Sequence, residues 1–233
     1  MDNTALKKFA VSARHKITTG VRNRAAQFGI TAQGIAPIQS LADGFIVNGH
    51  IFDNKTRTQY EHLRRRVEID GYEAVMETAS YTWFNRLVAL RFMEVHDYLP
   101  IRTRILSSLK ANKVEPDAVT EVLQLVEELS LDKELIYHLQ DTHNTNELFK
   151  YIIEKQGMQL EKMLPNVFSP VEGDFYLLLS NDLLQDNGII RDLITLIPEE
   201  AWNDIEIVGW LYQFYVSEEK DQIFSDLKKN KKI

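Results

Sequence analysis

The feature that most constrains the fold is the stretch from residue 72 to residue 98, in which apolar side chains leave almost no polar face. On a helix these side chains would cover most of the circumference, and a helix without a polar face must be buried on all sides. They are Val75, Met76, Ala79, Tyr81, Trp83, Phe84, Leu87, Val88, Leu90, Phe92, Met93 and Val95. We therefore predict a central, buried helix that ends before Pro100, because proline cannot continue a helix.

Arg86 and Arg91 lie within this apolar stretch. A guanidinium group inside a buried helix must find partners or reach water. Glu77 and Glu94 are candidate partners on the same helix, and a bound phosphate is the alternative. We favour structural pairing, because arginine is usually buried only when it is paired.

The spacing of apolar residues over 4–28 predicts an amphipathic helix. Its apolar stripe consists of Leu6, Phe9, Ala10, Ala13, Ile17, Val21 and Ala25. Opposite the stripe lie Lys8, His15 and Arg22, and at its margins lie Lys7, Arg14, Lys16 and Arg24. This helix is predicted to have one solvated, cationic side.

Basic residues are concentrated at the start of the chain. Residues 1–66 contain 11 Lys and Arg against 4 Asp and Glu, whereas the remainder contains 16 against 30, which gives a net charge of −7. Such asymmetry is compatible with a basic surface for nucleic acid beside an acidic body, and equally with a solvated helix face.

The remaining pattern predicts a mainly α fold, a multi-helix assembly with one small β-hairpin near residues 45–52. Asn48-Gly49 stands between β-prone residues, and both positions of a two-residue hairpin turn need a positive φ. Further helices are predicted over residues 55–69, 101–111, 116–129, 132–139, 146–164, 189–198 and 202–229. The helical pattern is weakly interrupted near residues 112–116. We expect either a basic part, 1–112, followed by an acidic helical part, 113–233, or one continuous domain.

Several kinds of chemistry find little support in the sequence. There is no cysteine, no glycine pair spaced as G-x-G, and no apolar run of the roughly 18 residues that a membrane span requires, so a cytoplasmic setting is predicted. Glu134, His138 and Asp141 share a helix face as possible metal ligands, but no fourth ligand follows at a familiar spacing, and a solvated face explains them better. Adjacent His96 and Asp97 point in different directions on a helix, which disfavours a base with its orienting acid.

Two further clusters have both a structural and a functional interpretation. The aromatic residues Trp210, Tyr212, Phe214 and Tyr215 would stack on bases or, as their spacing favours, pack mostly in the core. The basic residues at the end of the chain fit a frayed terminus as well as a nucleic-acid contact. They are Lys228, Lys229, Lys231 and Lys232.

The segment YTWFNRLVALRFMEVHDYLP, residues 81–100, closely resembles the N-terminal region of PglX, the family of adenine-specific DNA methyltransferases of BREX phage-defence systems. The opening MDNTALKKFAVSAR resembles the first helix of that family. WNDIEIVGWLYQFYVSEEKDQIFSDLKKNKKI resembles the stretch that leads into its methyltransferase domain. The resemblance spans essentially the whole chain, with a weaker middle over about residues 116–164.

The resemblance implies a site-specific adenine-N6 DNA methyltransferase as the parent protein, with S-adenosylmethionine as its cofactor. Such an enzyme needs a glycine-rich cofactor loop and an Asn-Pro-Pro-Tyr type motif that holds the flipped base. Neither is present, and the six prolines are never adjacent. No catalytic, cofactor or metal residue is therefore transferred, and the chain is expected to be a non-catalytic N-terminal domain that ends before the catalytic part.

The expected partners are the parent's methyltransferase domain, duplex DNA and other BREX proteins. Charge asymmetry and resemblance together nominate nine residues as phosphate contacts: Lys7, Lys8, Arg14, Lys16, Arg22, Arg24, Arg64, Arg65 and Arg66. The alternative function is a stand-alone helical module for protein interaction or scaffolding.

Overall fold

The computed structural model describes residues 3–111 and 113–217, and its architecture is mainly α, as predicted. The α-helices are α1 (Asn3–Gln27), α2 (Asn54–Asp70), α3 (Tyr72–Val95), α4 (Asp117–Thr120), α5 (Lys133–Asp141), α6 (Thr145–Leu160) and α7 (Ile189–Thr195). Residues 206–217 are also helical, and short 3₁₀ helices cover Val122–Leu125, Pro170–Leu178 and Glu199–Asn203. The basic tail predicted at residues 228–232 lies outside the described residues.

The predicted helices α1 and α2 are confirmed. Every residue of the predicted apolar stripe of α1 is buried, and α1 packs against α3 and against the Pro170–Leu178 helix. The Asp53 side chain caps α2 by accepting a hydrogen bond from the Thr56 N–H. Gly71, with a φ of 87°, ends α2 as expected from its freedom to adopt a positive φ.

The predicted hairpin is confirmed as β4 (Gly44–Val47) paired antiparallel with β5 (His50–Asp53). Asn48 and Gly49 form its turn with φ values of 50° and 79°. Phe45 anchors the hairpin on α2, since its ring lies 5.0 Å from that of Tyr60. The sequence did not predict three further two-residue strands, β1 (Ile30–Thr31), β2 (Gly34–Ile35) and β3 (Gln39–Ser40), because strands so short carry no periodicity.

Helix α3 is the predicted central helix, and its apolar side chains are buried around most of its circumference. The predicted pairing of Arg91 with Glu94 is confirmed, and a second carboxylate, that of Glu199, lies 3.1 Å from the Arg91 guanidinium. Arg86 instead donates to backbone carbonyl oxygens of Val167 and Ser169.

The helix predicted over residues 101–111 is wrong, because this segment is irregular. Its backbone is held by a tertiary partner: the Glu94 carboxylate accepts hydrogen bonds from the Leu106 N–H, at 2.6 Å, and from the Ser107 N–H and hydroxyl. These donors are therefore satisfied without the i→i−4 bonds of a helix. The continuous helix predicted over 116–129 is also wrong, since that stretch forms α4, one 3₁₀ helix and turns.

The Pro170–Leu178 helix lies against α1 and α2 and is tied to α3. The Trp83 indole N–H donates to the Phe175 carbonyl oxygen at 2.9 Å, and the Arg86 guanidinium lies over the Tyr176 ring at 5.0 Å.

Buried residues from both sides of residue 112 form one contiguous hydrophobic core. No helix within 3–111 and 113–217 is long and apolar enough to cross a membrane.

A candidate nucleic-acid interface and the cleft beside it

The exposed side of α1 carries cations, as its sequence pattern predicted. Lys7, Lys8 and His15 are exposed, and Arg22 is half-buried. Within the part of the chain that the structure describes, neither lysine lies within ion-pair distance of a carboxylate. Both ammonium groups are therefore available to a phosphate.

Most of the other nominated cations of α1 already hold acidic partners. Arg14 is buried, with its Nη2 atom 2.9 Å from Glu77 and its guanidinium over the Tyr215 ring. Further pairs join Lys16 to Asp192, at 2.7 Å, and Arg22 to Glu73. An ion pair has no net charge, so these groups attract a phosphate more weakly than Lys7 and Lys8 do.

Arg64, Arg65 and Arg66 of α2 lie in three different environments. Arg64 pairs with Glu68 one turn away, whereas Arg66 reaches the buried carboxylate of Asp174 at 3.1 Å. Arg65 is exposed and forms no ion pair with the described residues. Of the nine nominated cations, the structure therefore leaves Lys7, Lys8 and Arg65 outside any described ion pair or side-chain hydrogen bond.

Arg24, the remaining nominated residue, turns towards the interior. Its Nε atom donates to the Leu177 carbonyl oxygen at 3.2 Å, and its Nη1 atom donates to Gln27. Burial lowers the pKa of Arg24, while the Glu147 carboxylate opposes that shift. Arg24 thus lines a cleft at the C-terminal end of α1.

This cleft, which we call the Lys150 cleft, has a volume of about 460 Å³. Its lining consists of Arg24, Phe28, Phe52, Thr56, Gln59, Leu135, Leu139, Glu147, Lys150, Tyr151, Glu154, Tyr176 and Leu177. The sequence did not predict it, because these residues come from α1, β5, α2, α5, α6 and the Pro170–Leu178 helix. One signal was available: Lys150 stands within the apolar run of α6, beside Leu148 and Phe149.

Ionisable groups in the Lys150 cleft are shifted by their burial. Lys150 donates from its Nζ atom to Glu147, at 3.0 Å, and to Asn181, at 2.7 Å. Burial, with the nearby charge of Arg24, lowers its pKa to about 8. Burial also raises the pKa of Glu154 and raises that of Tyr176 to about 12. Groups shifted in this way are common in functional clefts.

The low pKa of Lys150 predicts a specific dependence of stability on pH. Below pH 8 Lys150 is protonated in both the folded and the unfolded protein, so the folded protein bears the full cost of a buried ammonium. Between about pH 8 and 10.5 only the unfolded chain keeps the proton, so this cost is relieved as pH rises. Relative to Lys150→Met, the free energy of unfolding of the wild type should rise by up to about 3 kcal/mol over this range. Urea titrations of both proteins at pH 7, 8.5 and 10 measure the difference, and parallel pH profiles would contradict it.

The sequence also raised a metal site, a His96–Asp97 pair and an aromatic cluster near the end of the chain. No group of three or more His, Cys, Asp or Glu residues in the described ranges could hold a metal ion. His96 donates a hydrogen bond from its Nδ1 atom to the Phe92 carbonyl oxygen at 2.9 Å. In the aromatic cluster, Tyr215 is fully buried, Trp210 and Phe214 are half-buried, and Tyr212 is exposed.

No protein-family model matches the chain. The adenine-specific methyltransferase BrxX of Escherichia coli O9:H4 (strain HS) is 32% identical over 244 residues, which cover 100% of this chain and 20% of that protein. The adenine-specific methyltransferase PglX of Lacticaseibacillus casei (strain Zhang) is 31% identical over 254 residues, covering 98% of this chain and 21% of that protein. The chain thus spans about a fifth of the length of these curated relatives.

Proposed function

We propose that this chain, which matches the N-terminal region of the PglX and BrxX adenine-specific methyltransferases, is the non-catalytic helical N-terminal part of a BREX-type adenine-N6 DNA methyltransferase. Its role is to support the catalytic domain and to contact duplex DNA or a partner of the defence complex. The observation that carries the proposal is the match of the whole chain to one fifth of each relative.

The catalytic chemistry belongs, in this proposal, to another part of the methyltransferase. The sequence contains no G-x-G pair and no adjacent prolines, so it offers neither a glycine-rich loop for S-adenosylmethionine nor an Asn-Pro-Pro-Tyr motif for the flipped adenine. S-adenosylmethionine and the target base would therefore be held outside these residues, in a cytoplasmic enzyme.

Four large apolar side chains are exposed on four different parts of the described chain. Ile51, Ile69, Leu109 and Ile205 are each more than three-fifths exposed. A contiguous apolar patch is typical of a surface that another protein covers, whereas apolar side chains that are exposed singly are normal on protein surfaces. The four residues lie on the hairpin, on α2, in the irregular segment after α3 and just before the last described helix.

For the DNA contact, we propose Lys7 and Lys8 as the principal phosphate-binding residues, with Arg65 as a further contact. All three are exposed and lie outside the ion pairs that engage the other nominated cations. Phosphate contacts need no sequence readout, so they would orient the enzyme on duplex DNA while specificity resides elsewhere.

The test is the salt dependence of duplex binding. Each phosphate contact adds about 0.9 to the slope of log affinity against log salt concentration. The double variant Lys7→Glu/Lys8→Glu should therefore lower that slope by about 2 and weaken binding about tenfold or more at 50 mM salt. Fluorescence anisotropy of a labelled duplex over a salt series measures both quantities.

The matched control is Lys133→Glu/Lys162→Glu, which makes the same charge change at two exposed lysines of the acidic part. It should leave the slope unchanged. If the wild-type chain does not bind a duplex even at low salt, the DNA contact is refuted. Capture of the catalytic domain without DNA would then favour the scaffold role.

A further inference from the structure

We propose that Lys150 is a nucleophilic amine that forms a Schiff base with a small carbonyl compound carrying a carboxylate, held in the Lys150 cleft. The cleft has a volume of about 460 Å³, which lies within the range of small-molecule sites. The inference rests on the groups that the cleft brings together, and it does not depend on the duplex contact proposed above.

Lys150 lies in surroundings that favour a neutral amine. Only 8% of the residue is exposed, and the lining of the cleft includes the apolar side chains of Leu135, Leu139 and Leu177. Burial disfavours the charged form of a lysine, and with a pKa of about 8 about half of the amine is neutral at pH 8. Neutral lysine amines in such pockets are the nucleophiles that form Schiff bases with carbonyl compounds.

The hydrogen bonds of Lys150 leave one position of its nitrogen open. The Nζ atom donates to Glu147 at 3.0 Å and to Asn181 at 2.7 Å, and these are its hydrogen-bond partners among the described residues. A charged ammonium has three donors, whereas a neutral amine has two N–H groups and a lone pair. Lys150 can therefore lose its third proton, keep both hydrogen bonds and present the lone pair to a carbonyl carbon.

A second cation of the cleft, Arg24, suits the carboxylate of the ligand. Its guanidinium lies over the Phe28 ring, and its Nε and Nη1 atoms donate to Leu177 and Gln27. The Nη2 atom forms no hydrogen bond with the described residues, so its N–H groups are available. Arginine binds carboxylates through such donors. After burial, the charge of Arg24 is the next cause that lowers the pKa of Lys150, so the two groups lie within electrostatic reach of each other.

Glu154 is placed to move the proton that Schiff-base formation requires. It follows Lys150 by four residues on α6, so the two side chains share one face of the helix. Its Oε1 atom accepts from Gln59, whereas Oε2 forms no hydrogen bond with the residues that the structure describes. Burial raises the pKa of Glu154, which favours the protonated form that can act as an acid.

The reaction forms one C=N bond and releases one water. The Lys150 nitrogen attacks the carbonyl carbon, and a proton passes from that nitrogen to the carbonyl oxygen. Glu154 then protonates the resulting hydroxyl, which leaves as water while the C=N bond forms. The Glu154 carboxylate takes back the remaining proton of the nitrogen, so the acid is regenerated and no oxidant or reductant is consumed.

The test traps the Schiff base by reduction. Succinic semialdehyde is the probe, and butanal, in which a methyl group replaces the carboxylate, is its matched partner. Each is incubated with the protein and cyanoborohydride at pH 8, and peptide mass spectrometry locates the stable secondary amine. Succinic semialdehyde should modify Lys150 about tenfold or more faster than it modifies the exposed Lys162, because about half of the Lys150 amine is neutral at this pH. It should also modify Lys150 about tenfold faster than butanal does, because only its carboxylate can bind Arg24.

Two variants separate the roles of the neighbouring groups. Arg24→Gln should lower the rate with succinic semialdehyde to about that with butanal, whereas Arg102→Gln, the same change at an exposed position outside the cleft, should leave it within about twofold. Glu154→Gln should slow modification by both probes about tenfold or more, and Glu134→Gln on α5 is its exposed control.

Three results would overturn the proposal. The first is modification of Lys150 no faster than that of Lys162, which would mean that the amine is not a nucleophile. The second is equal modification of Lys150 by the two probes, and the third is an Arg24→Gln variant that reacts as fast as Arg102→Gln. Either of these would mean that the cleft does not recognise the carboxylate. The first result is read on the wild-type protein, so it does not depend on the folding of any variant.

Discussion

Replacing Glu94 by alanine is expected to lower the free energy of unfolding by about 3–5 kcal/mol, the usual cost of removing one partner of a buried ion pair. The Glu94 side chain is 1% exposed and pairs with Arg91, which is 2% exposed. Its carboxylate also accepts hydrogen bonds from the Leu106 and Ser107 N–H groups. The variant would leave the Arg91 charge partly uncompensated and would free the irregular segment after α3.

Urea denaturation at neutral pH measures this loss. Glu68→Ala is the matched control, since Glu68 also pairs with an arginine, Arg64, but both side chains are about half exposed. That exposed pair should contribute no more than about 0.5 kcal/mol. Glu94→Gln removes the charge but keeps an acceptor for the Leu106 and Ser107 N–H groups, which donate to the same carboxylate oxygen, so its stability should fall between those of wild type and Glu94→Ala. An effect of Glu94→Ala as small as that of Glu68→Ala would refute the structural role of the network.

The contacts of Glu94 with Arg91, Leu106 and Ser107 could not be predicted in full from the sequence. Helices α1, α2 and α3 follow from apolar spacing and from Gly71, and the β-hairpin follows from Asn48-Gly49, all of which are local signals. The segment 101–111 has an equally plausible helical pattern, yet its N–H groups bind Glu94 on another element. No periodicity within the segment encodes that partner, so its irregular backbone could be seen only in the structure.

The candidate interface shows a similar division. Charge counting nominated nine cations near the start of the chain, but the availability of most of them depends on residues far away in sequence. Lys16 meets Asp192, and Arg66 meets Asp174. No sequence pattern predicts the Lys150 cleft, because its lining residues come from several elements that are far apart in sequence. The buried Lys150 was its one local sign.

The second large effect is expected for Trp83→Ala, which should lower the free energy of unfolding by about 3–5 kcal/mol. Trp83 is almost fully buried on α3, packs edge-on against Tyr176 and donates to the Phe175 carbonyl oxygen. Truncation would open a cavity and remove a backbone partner from the Pro170–Leu178 helix. Because Tyr176 lines the Lys150 cleft, the same change should disturb the cleft without touching its lining directly.

Two further variants separate packing from hydrogen bonding. Trp83→Phe keeps an aromatic ring but removes the indole N–H, so it should cost about 1–3 kcal/mol by leaving the Phe175 carbonyl oxygen without that donor. Trp210→Ala removes a half-buried tryptophan of the last described helix and should cost less than Trp83→Ala. Equal losses for Trp83→Ala and Trp210→Ala in urea denaturation would contradict the central role of α3. The predicted order would mean that α3 stabilises the irregular segment after it through Glu94 and the Pro170–Leu178 helix through Trp83, which accounts for the few positions left to solvent on this helix.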